Sequence, residues 1–202
     1  MSLTELEALN RALFLAIDAT SATPVWLIGT ARIVANDLIW SIPLVLAGLW
    51  LTGDARRRET ALRACVVALV ALGVNQLIGL AWQHPRPFAI GLGQTFLAHA
   101  PDSSFPSDHG TVFSAIFITL FARGMSRLGA LTLVCGIAVA WARVFLGVHF
   151  PFDMIGAFGV AAATYAVITP LWNYAGSQLT SLAVAAHRRL FAAPIRHGWL
   201  RP

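Results

Sequence analysis

The spacing of apolar positions along the chain predicts an amphipathic helix followed by a series of membrane-spanning helices. Between residues 3 and 20, leucine and isoleucine recur at helical spacing while the charged side chains fall elsewhere on the helical wheel. Residues 24–51 are apolar but interrupted by Arg32 and Asp37. Further blocks are long enough to be spans. We predict five secure spans, at about residues 37–53, 60–82, 109–122, 127–146 and 153–174.

The predicted fold class is therefore all-α. It is a polytopic transmembrane bundle of five to six membrane helices with an N-terminal amphipathic helix, and residues 3–36 could either span the membrane or lie on it. The composition agrees, because 57% of the residues are hydrophobic and 11% are charged, against about 25% charged in an ordinary soluble domain. With 202 residues, we expect a single domain over residues 1–202.

The basic residues orient this bundle. The chain contains no lysine, so its net charge of +5 comes from arginine. The arginines occur in short clusters between apolar blocks, which favours membrane topology over nucleic-acid binding. The clusters are Arg56 to Arg58, then Arg123 and Arg127, then Arg188, Arg189, Arg196 and Arg201. All fall on one side, which the positive-inside rule makes cytoplasmic. We predict a surface-lying helix for residues 177–202.

The opposite side carries three patches of chemically capable residues. The first is His84-Pro85-Arg86-Pro87-Phe88, where two prolines restrict the backbone around an arginine. It is either a helix stop with an arginine at headgroup level or a preset guanidinium for phosphate. The second, residues 104–110, places Ser107 as a helix N-cap and His109 just after it. It is either an ordinary cap or an anion site with a general acid.

The third patch runs from Arg143 through His149 to Asp153. At a spacing of four, His149 and Asp153 can face each other across the first turn of a helix, which Pro151 would begin. A carboxylate that holds one ring nitrogen leaves the other nitrogen as a nucleophile or base. The plain alternative is an interfacial histidine beside a capping aspartate. Because ionisable groups are costly at a membrane, their gathering on one face indicates a phosphate-transfer site. No set of metal ligands is evident.

These motifs resemble those of a known family. The order Arg86-Pro87, Pro106-Ser107-Asp108-His109 and Arg143-x5-His149-x3-Asp153 is similar to the type-2 phosphatidic acid phosphatase superfamily. Within it, the wider run that includes Gly147-Val148-His149-Phe150-Pro151 resembles the bacitracin-resistance type of undecaprenyl-diphosphatase. The resemblance covers a motif-bearing core at about residues 75–160.

The resemblance implies an enzyme that removes the terminal phosphate of undecaprenyl (polyprenyl) diphosphate through a phosphohistidine, and so recycles the cell-wall lipid carrier. It implies His149 as the nucleophile, Asp153 as its orienting carboxylate and His109 as the acid. The implied phosphate-binding residues are Arg86, Arg143 and Ser107. No metal or cofactor is implied. The partners would be the lipid substrate and the bilayer of a bacterial inner membrane, with the active site facing the periplasm; no nucleic acid is expected, and an oligomer is left open.

Three positions depart from the family pattern. The family's lysine, seven residues before Arg86, is Gly79 here, and Gln76, Gln83 and His84 are candidates to replace it. Asp108 stands where glycine is usual, so its charge either repels a phosphate or restrains His109 or a basic neighbour. Ala142 replaces a serine. The further candidates for the site are thus Gln83, His84 and Asp108.

Two alternatives remain open from the sequence. The same motifs serve a phosphatidic acid or phosphatidylglycerol phosphate phosphatase equally well. A non-enzymatic protein that binds or transports phospholipid needs the arginines but does not need the pairing of His149 with Asp153.

Overall fold

The computed structural model describes residues 2–198 and 200–201, and the regular elements of this part are all helices. Their order confirms the predicted all-α class. The helices are α1 (Leu3–Ile17), α2 (Val25–Asp37), α3 (Ser41–Thr52), α4 (Ala55–Ala81), α5 (Asp108–Ala122), α6 (Ser126–Phe145), α7 (Pro151–Leu190) and α8 (Ala192–Arg196). Two 3₁₀ turns, Leu38–Trp40 and Pro87–Ile90, complete them.

Four helical stretches in the described part are long and apolar enough to cross a membrane: Val25–Thr52, Ala55–Ala81, Ser126–Phe145 and Pro151–Leu190. The shorter α5 is also apolar. It lies at the centre of the bundle, where Phe113, Ile116 and Leu120 are buried and α5 packs against α4, α6 and α7. Because α5 contacts three other helices, its neighbours fix its position in the bundle.

The start of the first span differs from the prediction. The helical stretch begins at Val25 rather than near residue 37, because α2 continues through the 3₁₀ turn into α3. Arg32, which interrupts the apolar stretch in the sequence, donates from Nε to the Phe96 carbonyl oxygen at 2.6 Å. A long polar side chain that finds an acceptor in a neighbouring loop does not have to end a helix.

In the described part, the surface-lying helix predicted for residues 177–202 does not begin as a helix of its own, and its position at a surface stays a prediction. The last long helix, α7, runs unbroken to Leu190, and only the short α8 follows it in the described part. Neither Pro170 nor Gly176 ends α7, and Gly176 packs closely against Trp172. The predicted amphipathic helix is present as α1, and it docks on the protein: Phe14 is fully buried with its ring 5.4 Å from that of Phe150.

The arginine clusters meet at one end of the bundle, as predicted. Arg56 donates to the Arg123 carbonyl oxygen at 2.7 Å, and Arg58 donates to that of Arg201 at 2.8 Å. The three chemical patches lie at the opposite helix ends. There, a hydrogen bond joins the two ends of the connection between α4 and α5: Ser104 N–H donates to the His84 carbonyl oxygen at 2.7 Å.

The same connection lies directly against the turn before α7. Gly147 has a φ of +80°, and a Cβ at this position would clash with the Gln94 carbonyl. Only glycine allows both this backbone conformation and this close approach. Phe96 N–H also donates to the Leu146 carbonyl oxygen at 3.1 Å. The connection between α4 and α5 and the turn before α7 therefore form one surface.

Candidate active site

Arg86 occupies the centre of this surface. Its backbone is extended and the proline-led 3₁₀ turn Pro87–Ile90 follows at once, which sets the direction of the side chain. The residue is 4% exposed. Its guanidinium donates to Asp102 Oδ1 at 2.8 Å, to the Val148 carbonyl oxygen at 2.9 Å and to the Ser103 carbonyl oxygen at 3.2 Å. Three acceptors therefore fix the orientation of the Arg86 guanidinium group before any ligand binds.

His149 and Asp153 face each other across the first turn of α7, as the spacing predicted. The His149 Nδ1 to Asp153 Oδ2 distance is 3.1 Å, and both residues are buried. The same Oδ2 accepts from Phe150 N–H at 2.8 Å and from the Ser104 hydroxyl. Two further donors thus fix the carboxylate that orients the ring.

The other ring nitrogen of His149 meets Arg86. Arg86 Nη1 lies 3.1 Å from His149 Nε2, and a guanidinium can only donate. We infer that Nε2 accepts and that the ring proton sits on Nδ1, facing Asp153. Burial lowers the pKa of His149 to about 4; Asp153 opposes this shift, and Arg143 and Arg86 add to it. The ring is therefore neutral at pH 7, with a lone pair on the nitrogen that faces the arginine.

His109 and Arg143 form the second half of the site. His109 lies in the first turn of α5 and Arg143 in the last turn of α6. Arg143 Nη1 is 3.4 Å from His109 Nε2 and 3.4 Å from the Ala35 carbonyl oxygen. Because α5 begins here, its free backbone N–H groups and the positive end of its helix dipole lie at the same end of the bundle as His109 and Arg143.

A cavity of about 500 Å³ joins the two halves, and Arg86, His109, Arg143 and His149 all line it. Ser107 and Asp153 are not among the described residues that line this cavity. Ser107 is the predicted N-cap: its Oγ accepts from Gly110 N–H at 3.4 Å. Its predicted role as a direct phosphate contact stays a prediction.

Two of the three positions that depart from the family pattern, Gly79 and Asp108, border the cavity, whereas Ala142 is buried in an apolar cluster. Asp108 accepts from Asn75 Nδ2 at 2.8 Å and from Gln76 Nε2 at 3.4 Å. Two amides of α4 therefore hold this carboxylate, and neither His109 nor a basic residue is among these partners, so both predicted roles of its charge stay predictions. Gly79 faces the Ser103 side chain, and a Cβ would rest there at 3.4 Å in ordinary contact.

The remaining candidates to replace the lysine differ in how they are held. Gln83 is exposed at the rim of the cavity. His84 also borders it, but its Nε2 lies 3.6 Å from Glu7 and its ring packs edge-on against Trp82 and Phe150. His84 is therefore engaged mainly with α1 and the surrounding aromatic rings.

Sequence reasoning gave no role to three polar residues that the structure brings to the site. Asp102 pairs with Arg86, Ser104 donates to Asp153, and His99 lines the cavity. All three come from the connection between α4 and α5, which has no periodic pattern. For His99 and Asp102 the only signal available was their position between two motifs, whereas Ser104 was the first residue of the second patch.

Comparison with known proteins agrees with this geometry. The family model of the PAP2 superfamily matches residues 60–177, a range that contains every predicted site residue. The chain belongs to the PAP2 superfamily. This confirms the family resemblance drawn from the motifs.

Relatives in the PAP2 superfamily include proteins of the type that the motifs indicated. YbjG of Escherichia coli (strain K12), whose name assigns it provisionally as an undecaprenyl-diphosphatase, is 38% identical over 97% of this chain and 99% of its own length. The undecaprenyl-diphosphatase BcrC of Bacillus subtilis (strain 168) is 34% identical over 63% of this chain and 66% of its own.

A solved structure shows the same fold. The crystal structure of a transmembrane PAP2-type phosphatidylglycerolphosphate phosphatase from Bacillus subtilis aligns with a TM-score of 0.60. It covers 84% of this chain and 87% of that chain at 19% identity. The PAP2 chain described here is therefore an integral membrane protein and a lipid phosphatase by family.

Proposed function

We propose that this phosphatase removes the terminal phosphate of a polyprenyl diphosphate, undecaprenyl diphosphate, and leaves the lipid monophosphate. The observation that carries the proposal is the His149 Nε2 atom, which is neutral, oriented by Asp153 and 3.1 Å from Arg86 Nη1. A site that only binds phosphate needs cations but not an oriented lone pair among them. The names of the two relatives support the choice of substrate.

The first step is attack by His149 Nε2 on the terminal phosphorus. A bond forms from nitrogen to phosphorus, and the bond from phosphorus to the bridging oxygen breaks. Arg86 and Arg143 stabilise the charge on the equatorial oxygens, which is where phosphoryl transfer receives most of its catalysis. His109, 3.4 Å from Arg143, takes up a proton from solvent when the anionic substrate binds and gives that proton to the departing lipid phosphate.

The second step returns the enzyme to its starting state. Water attacks the phosphorus of the phosphohistidine, and His109, now unprotonated, takes the proton from that water. The nitrogen–phosphorus bond breaks and inorganic phosphate leaves. Asp153 keeps its hydrogen bond to Nδ1 throughout, so the ring presents the same nitrogen in the next cycle.

We propose further that the site faces the periplasm and that the product re-enters the cell-wall lipid-carrier cycle. Support comes from the arginine clusters, which meet at the opposite end of the bundle from the cavity. Arginine-rich connections favour the cytoplasmic side. The lipid tail would stay in the bilayer while the diphosphate enters between the helix ends.

The test is phosphate release by the purified full chain in detergent. The substrates are undecaprenyl diphosphate, phosphatidic acid and phosphatidylglycerol phosphate, each assayed with the parent and with His149→Ala. We expect the highest kcat/KM for undecaprenyl diphosphate and loss of all release in the variant. Preference for a glycerophospholipid would reject the substrate, and full activity of a folded His149→Ala would reject the enzyme mechanism.

A further inference from the structure

His99 is a third histidine at the phosphate cavity, and it lies outside the three sequence motifs. It comes from the connection between α4 and α5 and lines the cavity together with Arg86, His109 and Arg143. Its ring centroid is 6.2 Å from that of His149, with the two planes nearly perpendicular at 74°. A ligand held between the arginines therefore comes within reach of the His99 ring.

The Nδ1 atom of the His99 ring already has partners within the protein. Nδ1 lies 3.1 Å from the Ala100 carbonyl oxygen and 3.7 Å from Asp102 Oδ1. A carbonyl can only accept, so Nδ1 carries the proton in the neutral ring. Within the described residues, Nε2 makes no hydrogen bond. Nε2 is thus the ring atom left for a ligand.

Asp102 couples this histidine to the main phosphate receptor. Its Oδ1 accepts from Arg86 Nε at 2.8 Å while lying 3.7 Å from His99 Nδ1. Burial lowers the pKa of His99, and the cations Arg86 and Arg143 lower it further, against the Ala100 carbonyl and Asp102. The site therefore combines two arginines with a neutral His99 ring, because protonation of this ring would add a third positive charge beside them.

A phosphate that enters the cavity reverses this balance. Its negative charge offsets the two guanidinium groups, which removes much of the repulsion that keeps the ring neutral. The carbonyl and the carboxylate behind Nδ1 then favour the imidazolium, because both accept from its Nδ1–H. A proton taken from solvent on Nε2 would point from the ring toward a phosphoryl oxygen.

We propose that His99 is a phosphate-binding residue that takes up a proton when substrate binds and donates Nε2–H to a phosphoryl oxygen. It supplies a third cation to the receptor of a chain that has no lysine. The inference rests on the proposed function for its substrate, but its phosphate contact can be measured without any lipid.

The experiment uses inorganic phosphate as the probe of the purified full chain in detergent. The variants are His99→Ala and His99→Gln, and Gln94→Ala is the matched control, an exposed position in the same connection. The inhibition constant of inorganic phosphate is measured against hydrolysis of undecaprenyl diphosphate. A hydrogen bond to a charged group predicts that both His99 variants weaken phosphate inhibition and lower kcat/KM by about 10- to 100-fold. Gln94→Ala should stay within about twofold of the parent.

Proton uptake separates a phosphate contact from a merely structural role. Calorimetric titration with phosphate at pH 8, in two buffers of different ionisation enthalpy, gives the number of protons taken up on binding. The parent should take up more protons than His99→Gln, by a difference approaching one. The glutamine variant keeps a side chain of similar length and so covers the case in which His99→Ala fails to fold.

The outcomes distinguish this inference from the proposed function. Equal phosphate inhibition and equal proton uptake in the parent and in folded His99→Gln would overturn the role of His99 even if undecaprenyl diphosphate is hydrolysed. Phosphate binding that depends on His99 would support that role even if the lipid substrate proves to be a different one.

Discussion

His149 Nδ1 lies 3.1 Å from Asp153 Oδ2, one turn of α7 apart, and Phe150 N–H holds the same carboxylate oxygen at 2.8 Å. The pair therefore decides which nitrogen of His149 faces Arg86. This relationship leads to the first prediction.

Asp153→Asn should keep the fold and lose most of the activity. The amide oxygen can keep the hydrogen bonds that Oδ2 accepts, but the substitution removes the negative charge that stabilises the positive charge developing on the His149 ring during attack. In other systems where a carboxylate orients a catalytic histidine, this exchange costs up to about 10⁴-fold in kcat. We expect a fall of at least about 100-fold in phosphate release, with inhibition by inorganic phosphate changed far less.

A conservative change at Ser104 provides the comparison for Asp153→Asn. Ser104→Ala removes one of the donors to the same carboxylate but leaves Phe150 N–H in place. It should reduce kcat by about 10-fold or less, since one neutral hydrogen bond is worth about 1 kcal/mol. If Asp153→Asn were no worse than Ser104→Ala, the negative charge of the carboxylate would not assist the attack by His149.

His109→Ala should slow substrates in proportion to how much their leaving group needs a proton. A lipid phosphate leaves poorly without one, whereas an activated aryl phosphate leaves as a stable anion. We expect a loss of about 100-fold or more on undecaprenyl diphosphate and a much smaller loss on p-nitrophenyl phosphate. Equal losses on both substrates would show that His109 acts through Arg143 or the fold rather than as the acid.

Acid should destabilise the protein partly through His149. Because burial lowers the pKa of His149 to about 4, below the usual value of about 6.5, folding favours the neutral ring. The contribution to the free energy of unfolding is complete above pH 6.5 and is lost as the pH falls toward 4. It amounts to on the order of 3 kcal/mol.

Thermal unfolding at several pH values measures this contribution. Between pH 7 and pH 4.5, the parent should lose more stability than His149→Gln, which has no titrating ring at this position. Parallel curves for the two proteins would mean that the pKa of His149 is close to its usual value.

Chelation should leave the activity intact. The proposed chemistry uses the arginines and two histidines, so neither step requires a metal ion. Phosphate release after treatment with EDTA and removal of the chelator should remain within about twofold of the untreated enzyme. Activity lost on chelation and restored by one divalent cation would contradict the mechanism.

Much of this molecule follows from the sequence because the relevant signals are local. The length of each apolar block predicts a membrane helix, and the arginine-rich connections predict that alternate connections lie on one side of the bundle. Ser107 was recognisable as a cap and the His149–Asp153 pair as one helical turn, since both depend on residues close in sequence. Arg86 and His109 were recognisable by residue type at the ends of apolar blocks.

Only the tertiary structure decided which polar groups complete the site. The pairing of Asp102 with Arg86, the donation from Ser104 to Asp153 and the position of His99 depend on how the connection of residues 83–107 folds. That connection has no apolar period, and it is shaped by contacts with distant residues such as Gly147. The sequence by itself determined the helices and indicated the two histidines proposed to react, whereas long-range packing, which no local pattern encodes, determined what surrounds them.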